Sequence, residues 1–280
     1  MKGCISALFL CHLLTFASDM QNSEQLPDIH LPPHKKIYFA SDFHLGSPNF
    51  KQSREREVAI KQWLDSTIDD AYAVFLLGDL FDFWFEYRRV VPKGFLYFQS
   101  RLVKLVENDV KLFIFTGNHD LWMFNYFEQE LGIPVIRQPV SVKVDQHYIH
   151  LGHGDGLGPG DRTYKVLKKI FTSPIGQQLF SLIHPDLGIF LADAWSRNSR
   201  ESNEKKDESF RGKEYEWIYQ YCVEVESQRH HDYYVFGHRH LPLEIPVTEN
   251  SRYYNLGEWI TERTYGVYDG QSFKLHKFTS

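Results

Sequence analysis

From Lys36 onward the chain alternates short apolar runs with longer stretches in which apolar positions recur at helical spacing. Ile37 to Ala40 reads as a strand, and the polar stretch Gln52 to Asp70, carrying Val58, Ile60, Trp63, Leu64 and Ile68, reads as a helix. Val74 to Leu77 is a continuous apolar run of the kind a strand shows when both its faces are covered. Phe95 to Val106 then predicts an amphipathic helix and Leu112 to Phe115 a third strand. Strands alternating with helices predict a layered α/β fold.

Further strands are predicted at Pro134 to Ile136, Val140 to Val144, Tyr148 to Leu151, Tyr233 to Phe236, Leu243 to Val247, Tyr253 to Leu256 and Tyr265 to Tyr268. Between Gly156 and about Tyr221 the pattern turns helical. Val166, Leu167, Ile170 and Phe171 are followed by Leu179, Phe180, Leu182 and Ile183, then by Leu187, Ile189, Phe190, Leu191 and Trp195, and finally by a charged run from Arg197 to Lys213. The expectation is one domain over 35–280 with a helical insertion at about 156–221, preceded by a segment 1–34. No internal repeat and no low-complexity tract interrupts it.

Five short motifs each follow a predicted strand: Asp42-Phe43-His44, Gly78-Asp79, Gly117-Asn118-His119-Asp120, Gly152-His153-Gly154-Asp155 and Gly237-His238-Arg239-His240. Singly, each has an ordinary reading, Asp42 as a helix cap and the Gly-Asp and Gly-Asn pairs as turns. Jointly they do not, because loops at the carboxyl ends of different strands converge in an open α/β fold. Carboxylate, amide oxygen and imidazole without thiolate suit two divalent cations, manganese first, with iron or zinc as alternatives. Asp79 would bridge them, with Asp42, His44 and His240 on one ion and Asn118, His153 and His238 on the other. Two such ions outweigh the negative charge of Asp42, Asp79 and a shared hydroxide, so the centre attracts phosphate and acidifies its water. His119 is the candidate to hydrogen-bond the phosphoryl group or protonate a leaving oxygen, while Asp82, Asp120 and Asp155 are candidates to orient imidazoles.

Composition narrows the picture further. Lys and Arg number 31 against 36 Asp and Glu, so no overall basic field invites a nucleic acid. Cys4, Cys11 and Cys222 form no Cys-x-x-Cys pair and no disulfide framework, which fits a reducing compartment. Histidine is abundant, with 14 in the chain, so the choice of ligands has rivals. His147 and His150 fall within or beside a strand, whereas His153 sits just past it between glycines. His184, His230, His231 and His276 lack a companion ligand at fixed spacing.

These motifs resemble those of the calcineurin-like metallophosphoesterases, over Ile37 to about Trp259. The resemblance implies a four-layer α-β-β-α double β-sandwich. Within that superfamily, Gly78-Asp79-Leu80-Phe81-Asp82-Phe83-Trp84, the His153-Gly154-Asp155 loop, Gly237 to Pro242 and Gly257-Glu258-Trp259 look like the UDP-2,3-diacylglucosamine hydrolases of lipid A synthesis. The implied reaction splits the pyrophosphate into UMP and 2,3-diacylglucosamine 1-phosphate, on a peripheral protein at the cytoplasmic face of an anionic inner membrane. The insertion is then expected to cover acyl chains. Asp161, Tyr164, Ser199, Arg200, Asn203, Lys206 and Trp84 are similar to substrate-contacting residues, and Lys165, Lys168 and Lys169 are available for phosphate or membrane. One departure is His119, where many members of that family carry arginine. A generic phosphomonoesterase or phosphodiesterase of the superfamily, acting on a soluble substrate, is the alternative. Oligomeric state is not legible at this level.

The first residues, with an apolar run from about Ile5 to Phe16 interrupted by His12, read either as a secretory signal or as an extension upstream of a true start at Met20. The second reading is preferred, because short apolar runs mimic signals easily.

Overall fold

The computed structural model describes residues 25–160, 162–192 and 209–279. Its strands are β1 (Lys36–Ala40), β2 (Ala71–Leu77), β3 (Lys111–Phe115), β4 (Val135–Ile136), β5 (Val140–Val144), β6 (His147–Gly152), β7 (Tyr233–Phe236), β8 (Pro242–Pro246), β9 (Arg252–Leu256), β10 (Thr264–Tyr268) and β11 (Phe273–Lys277). They form a six-stranded sheet in the order β11-β10-β1-β2-β3-β4 and a five-stranded sheet in the order β5-β6-β7-β9-β8. Helices α1 (Phe50–Thr67), α2 (Leu96–Glu107), α3 (Tyr126–Leu131), α4 (Arg162–Phe171), α5 (Pro174–Ser181) and α6 (Trp217–Gln228) accompany them, and helical backbone also runs over 185–192.

Alternation along the strands divides the core into layers. In β1 to β3, Ile37, Phe39, Ala73, Phe75, Leu77, Phe113 and Phe115 meet Val140, Val142, Ile149, Leu151 and Val235 of the other sheet. The alternate positions, Tyr38, Ala40, Val74, Leu76, Leu112 and Ile114, pack under Trp63 and Leu64 of α1 and Phe98 and Leu102 of α2. On the far side, Tyr234, Phe236 and Tyr253 receive Ile218 and Cys222 of α6. Strands covered on both faces must be apolar at every position, which is why their runs are continuous in sequence. The result is the expected α-β-β-α stack.

Parallel register is what brings the motifs together. β1 pairs with β2 up to Ala40 opposite Leu76, and β2 with β3 up to Leu77 opposite Phe115, so three loops leave one edge side by side. In the second sheet Gly152 pairs with Phe236 and Phe236 with Asn255, which aligns the loops after β6, β7 and β9 in the same way.

Some boundaries differ from the sequence reading. Leu26 and Ile29 are buried, and their N–H groups donate to Ser141 O and Lys143 O at 2.8 Å, so the packed body reaches back at least to Gln25. Helix α6 straddles the expected end of the insertion near Tyr221 and belongs to the body. Strand β11, FKLHK, escapes the sequence reading because it is mostly exposed and lacks an apolar run, and helix α3 because it has only 6 residues. Within the insertion, α4 and α5 bury no residue at all, in contrast to α1 and α2.

His150 and His231 are structural. Ser141 Oγ lies 3.0 Å from His150 Nδ1 and 2.8 Å from His231 Nε2, and Tyr221 OH lies 3.0 Å from His150 Nε2. Burial, helped by the charges of His231 and Arg229, holds His150 down to about 3. The sign follows from linkage: between about 6.5 and about 3 the unfolded chain binds a proton that the native chain refuses. Stability attributable to His150 is therefore lost on acidification, at up to about 1.4 kcal/mol per pH unit. Urea unfolding from pH 7 to pH 5 should show a shallower pH dependence in His150→Gln than in the wild type. Identical slopes would mean that His150 does not titrate on unfolding.

Candidate metal centre

The five motif loops meet at the shared edge of the two sheets, and they do so in strained backbone. Asp42, His44, Asp79, His238 and His240 all have positive φ, between 44° and 70°. For residues with a Cβ that conformation costs roughly 1–2 kcal/mol each, and such strain persists where the surroundings demand it. Close approach explains two of the motif glycines. A Cβ on Gly117 would lie 2.2 Å from Asp79 Oδ1, and one on Gly237 would lie 2.5 Å from Asp42 Oδ2.

Asp79 is central. Its Oδ1 accepts the His119 N–H at 2.8 Å, while its Oδ2 lies 3.8 Å from His44 Nε2 on one side and 3.3 Å from His153 Nε2 on the other. Around the first nitrogen, His240 Nε2 is 3.0 Å from His44 Nε2 and 3.1 Å from Asp42 Oδ1. Around the second, Asn118 Oδ1 is 3.3 Å from His153 Nε2, and His238 offers a ring nitrogen within 4.8 Å of both Asp79 and His153. All seven expected ligands thus fall into two groups that share Asp79. Divalent cations with bonds of about 2.0–2.2 Å hold adjacent donors roughly 3.0–3.6 Å apart, so the separations suit coordination. Two further observations fit. Asp42 Oδ1 is buried and has no aligned hydrogen-bond donor, and His153 Nδ1 faces Leu77 O at 2.8 Å, which leaves Nε2 for a metal.

The charges also call for cations. Burial alone would raise Asp79, yet the imidazoles of His153, His119 and His44 hold it far below the carboxylate range. Burial would lower His44, but the carboxylates of Asp42 at 3.7 Å and Asp82 at 3.6 Å push it up to about 10, and the Asp79 charge does the same for His153. A second layer fixes these ligands. Arg56, buried in α1, donates to His44 O at 2.6 Å and Ser47 O at 2.5 Å, and Arg239 is clamped by buried Glu216 at 2.9 Å and 3.1 Å. Neither the backbone bonds of Arg56 nor the Arg239–Glu216 clamp is visible as a motif, since each joins separate elements of the chain.

Three expected roles are corrected. Asp120 does not serve an imidazole: its two oxygens receive the N–H groups of Gly117 at 2.7 Å, Asp79 at 3.3 Å, Leu80 at 2.8 Å and Phe81 at 3.4 Å, which ties the β2 loop to the β3 loop. It is a positioning residue. Trp84 is fully buried, with its ring centroid 4.3 Å from that of Phe81 and its indole N–H donated to Glu86 at 3.2 Å, so it is core and not substrate surface. Asp155 turns from His153 toward the insertion, where its Oδ2 accepts Tyr164 OH at 2.5 Å and Lys168 Nζ at 2.6 Å. Lys168 is accordingly committed to this carboxylate.

His119 sits beside the cluster, with Nδ1 3.0 Å from Asp82 O and its ring 4.9 Å from that of His44. It opens onto a cavity of about 280 Å³. Asn118, His119 and Asp82 form the polar end, and Phe83, Trp122 and the insertion residues Leu167, Phe171, Phe180 and Leu191 form the apolar walls. Tyr164 lines it as well. The aromatic wall escaped the sequence reading, although Phe83 and Trp122, each two to four residues beyond a metal motif, were its signal. Asp161, Ser199, Arg200, Asn203 and Lys206 lie outside the described residues.

The calcineurin-like phosphoesterase family model matches residues 35–242. A Porphyromonas gingivalis protein named UDP-2,3-diacylglucosamine hydrolase is 35% identical over 253 residues, covering 86% of this chain and 96% of its own. A protein of the same name from Shewanella oneidensis is 24% identical over 224 residues, covering 80% and 90%. Among solved structures, a predicted phosphoesterase from Streptococcus pneumoniae superposes with a TM-score of 0.39 at 14% identity, over 86% of this chain and 87% of that one. With its family model spanning most of the chain and an ordered cluster of metal-ligating side chains, the protein belongs to the calcineurin-like phosphoesterases, as a metal-dependent phosphoester hydrolase.

Proposed function

We propose that this enzyme cleaves the pyrophosphate of UDP-2,3-diacylglucosamine, releasing UMP and 2,3-diacylglucosamine 1-phosphate. The observation that carries the reading is the apolar cavity that begins at Asn118 and His119 and continues between the body and the insertion. A substrate with phosphate at one end and acyl chains at the other matches a cavity whose polar end touches the metal ligands. The relative from Porphyromonas gingivalis, matched over nearly its whole length, bears the corresponding name.

Asp42, His44 and His240 would hold one cation, Asn118, His153 and His238 another, with Asp79 shared; manganese is the ion proposed, and iron or zinc would suit the same mixed set of carboxylate, amide and imidazole donors. When bound, such ions supply Lewis acidity and a water ionised near neutral pH. The chain's own residues do the rest. With Nδ1 donating to Asp82 O, His119 has Nε2 left for the substrate, and because burial lowers the basicity of this ring, a proton held there is readily given up to the leaving oxygen. The leaving group is itself a phosphate with a second pKa of about 6, so its departure needs little help from an acid.

The outer face of the insertion supports peripheral contact with an anionic membrane. Ile175, Leu179 and Leu182 are 72%, 63% and 79% exposed, beside Lys169. No helix among the described residues is long and apolar enough to cross a membrane.

With manganese present, the wild type should release UMP from the UDP-diacyl sugar, and turnover should fall as the acyl chains are shortened. Asp79→Ala should abolish it, whereas His119→Ala should retain activity reduced by about 10²-fold, the usual scale of one proton-transfer group. Turnover indifferent to chain length would favour a soluble phosphate ester as substrate instead. In chelator-treated protein, manganese at about 100 times its Kd should stabilise the fold by about 2.7 kcal/mol, and Asp79→Ala should lose that response in thermal unfolding.

A further inference from the structure

Helix α4 presents a puzzle: it forms a wall of the cavity through Tyr164, Leu167 and Phe171, yet it buries no residue of its own. Apolar packing therefore does little to fix its distance from the metal ligands. Polar bonds do. Along one side, Asp155 Oδ2 receives both Tyr164 OH from the first turn and Lys168 Nζ from the last, Lys168 Nζ also approaches Asp155 O at 3.3 Å, and Lys165 Nζ donates to Gly158 O. At its end, Trp122 Nε1 donates to Phe171 O at 2.7 Å, and the Trp122 ring packs on Phe171 and on Phe180 of α5. Asp155 is buried and follows the ligand His153 by two residues, across Gly154 with φ 118°.

We infer that the Asp155–Lys168 ion pair is a latch that sets the width of the acyl-facing cavity, making Lys168 a positioning residue for substrate selectivity although it does not line that cavity. A charge-assisted bond to a buried carboxylate is strong and directional, so one lysine can hold a helix that hydrophobic burial leaves loose. The 3.6-residue period explains the geometry. Tyr164, Leu167, Lys168 and Phe171 lie on one side of α4, so the latch and the wall share a face, and movement at Lys168 carries Leu167 and Phe171 with it.

The latch rests on the proposed substrate only for its kinetic consequence, and two readouts separate the questions. Lys168→Met should raise KM for the UDP-diacyl sugar about tenfold, with kcat within about twofold, the scale expected from one charge-assisted bond. Hydrolysis of bis(p-nitrophenyl) phosphate, which has no acyl chain, should be unchanged. Lys168→Arg, which keeps the charge, should restore KM, and Asp155→Asn combined with Lys168→Met should be no worse than the poorer single variant. Hydrogen exchange of the manganese-loaded protein should show faster exchange over 162–171 in Lys168→Met and wild-type rates in Lys168→Arg. Unaltered exchange would overturn the latch whatever the substrate proves to be. Equal losses on both esters would overturn its role in selectivity, and faster exchange without turnover of the diacyl sugar by the wild type would overturn the substrate and leave the latch standing.

Discussion

A carboxylate at 1% exposure is tolerated only when its charge is met from several directions, and Asp79 is met from the loops that follow β1, β3 and β6. Each of those loops is held to the shared edge of the sheets by that one group. The consequences spread outward. Gly117 must lack a side chain for the approach to Asp79, Asp42 and Asp79 must adopt left-handed backbone, and Asp120 must accept the N–H groups of four amides that the crowded β2 and β3 loops leave without helix or sheet partners. Strain at five ligand positions is offset by the two packed sheets beneath, whose cores leave the strand ends no freedom to relax.

The same crowding explains why His44 and His153 are basic while burial holds His119 and His238 down. Asp42 and Asp79 need positive charge beside them, and protons on His44 and His153 answer that need when no cation does. Protons and cations are then alternatives for one electrostatic vacancy of fixed size. The buried guanidinium of Arg56 donates to the backbone carbonyls of His44 and Ser47, and so fixes the loop that carries His44.

What the sequence makes legible follows from range. Strands such as Val74 to Leu77 announce themselves because burial on both faces leaves no polar position, and ligands such as Asn118 and His153 announce themselves because five motifs of ligand-type residues each follow a strand. Partner choice is another matter. Asp120 and Asp155 look alike, each a carboxylate one or two residues past a motif histidine, yet one grips backbone amides about forty residues earlier and the other grips a helix of the insertion. Trp84, in a motif with Asp79 and Asp82, points into the core because the chain turns there and stacks it on Phe81. Local spacing names the candidates, and only the packing of distant segments assigns their partners.

The insertion shows why a body this rigid needs a looser companion. Metal ligation demands donors fixed within a few tenths of an ångström, which the double sandwich supplies through fully buried strands. The acyl chains of the proposed substrate would need an apolar surface that admits them, and an apolar surface sealed into the core would admit nothing. Helices α4 and α5 resolve the conflict by presenting Leu167, Phe171 and Phe180 to the cavity while Val166, Ile175 and Leu179 remain exposed on the outside. Such helices cannot be anchored by burial, since their apolar groups are reserved for other contacts. Polar attachment at Asp155 and Trp122 is therefore the form of anchoring left to them, and it places the controlling contact two residues from a metal ligand.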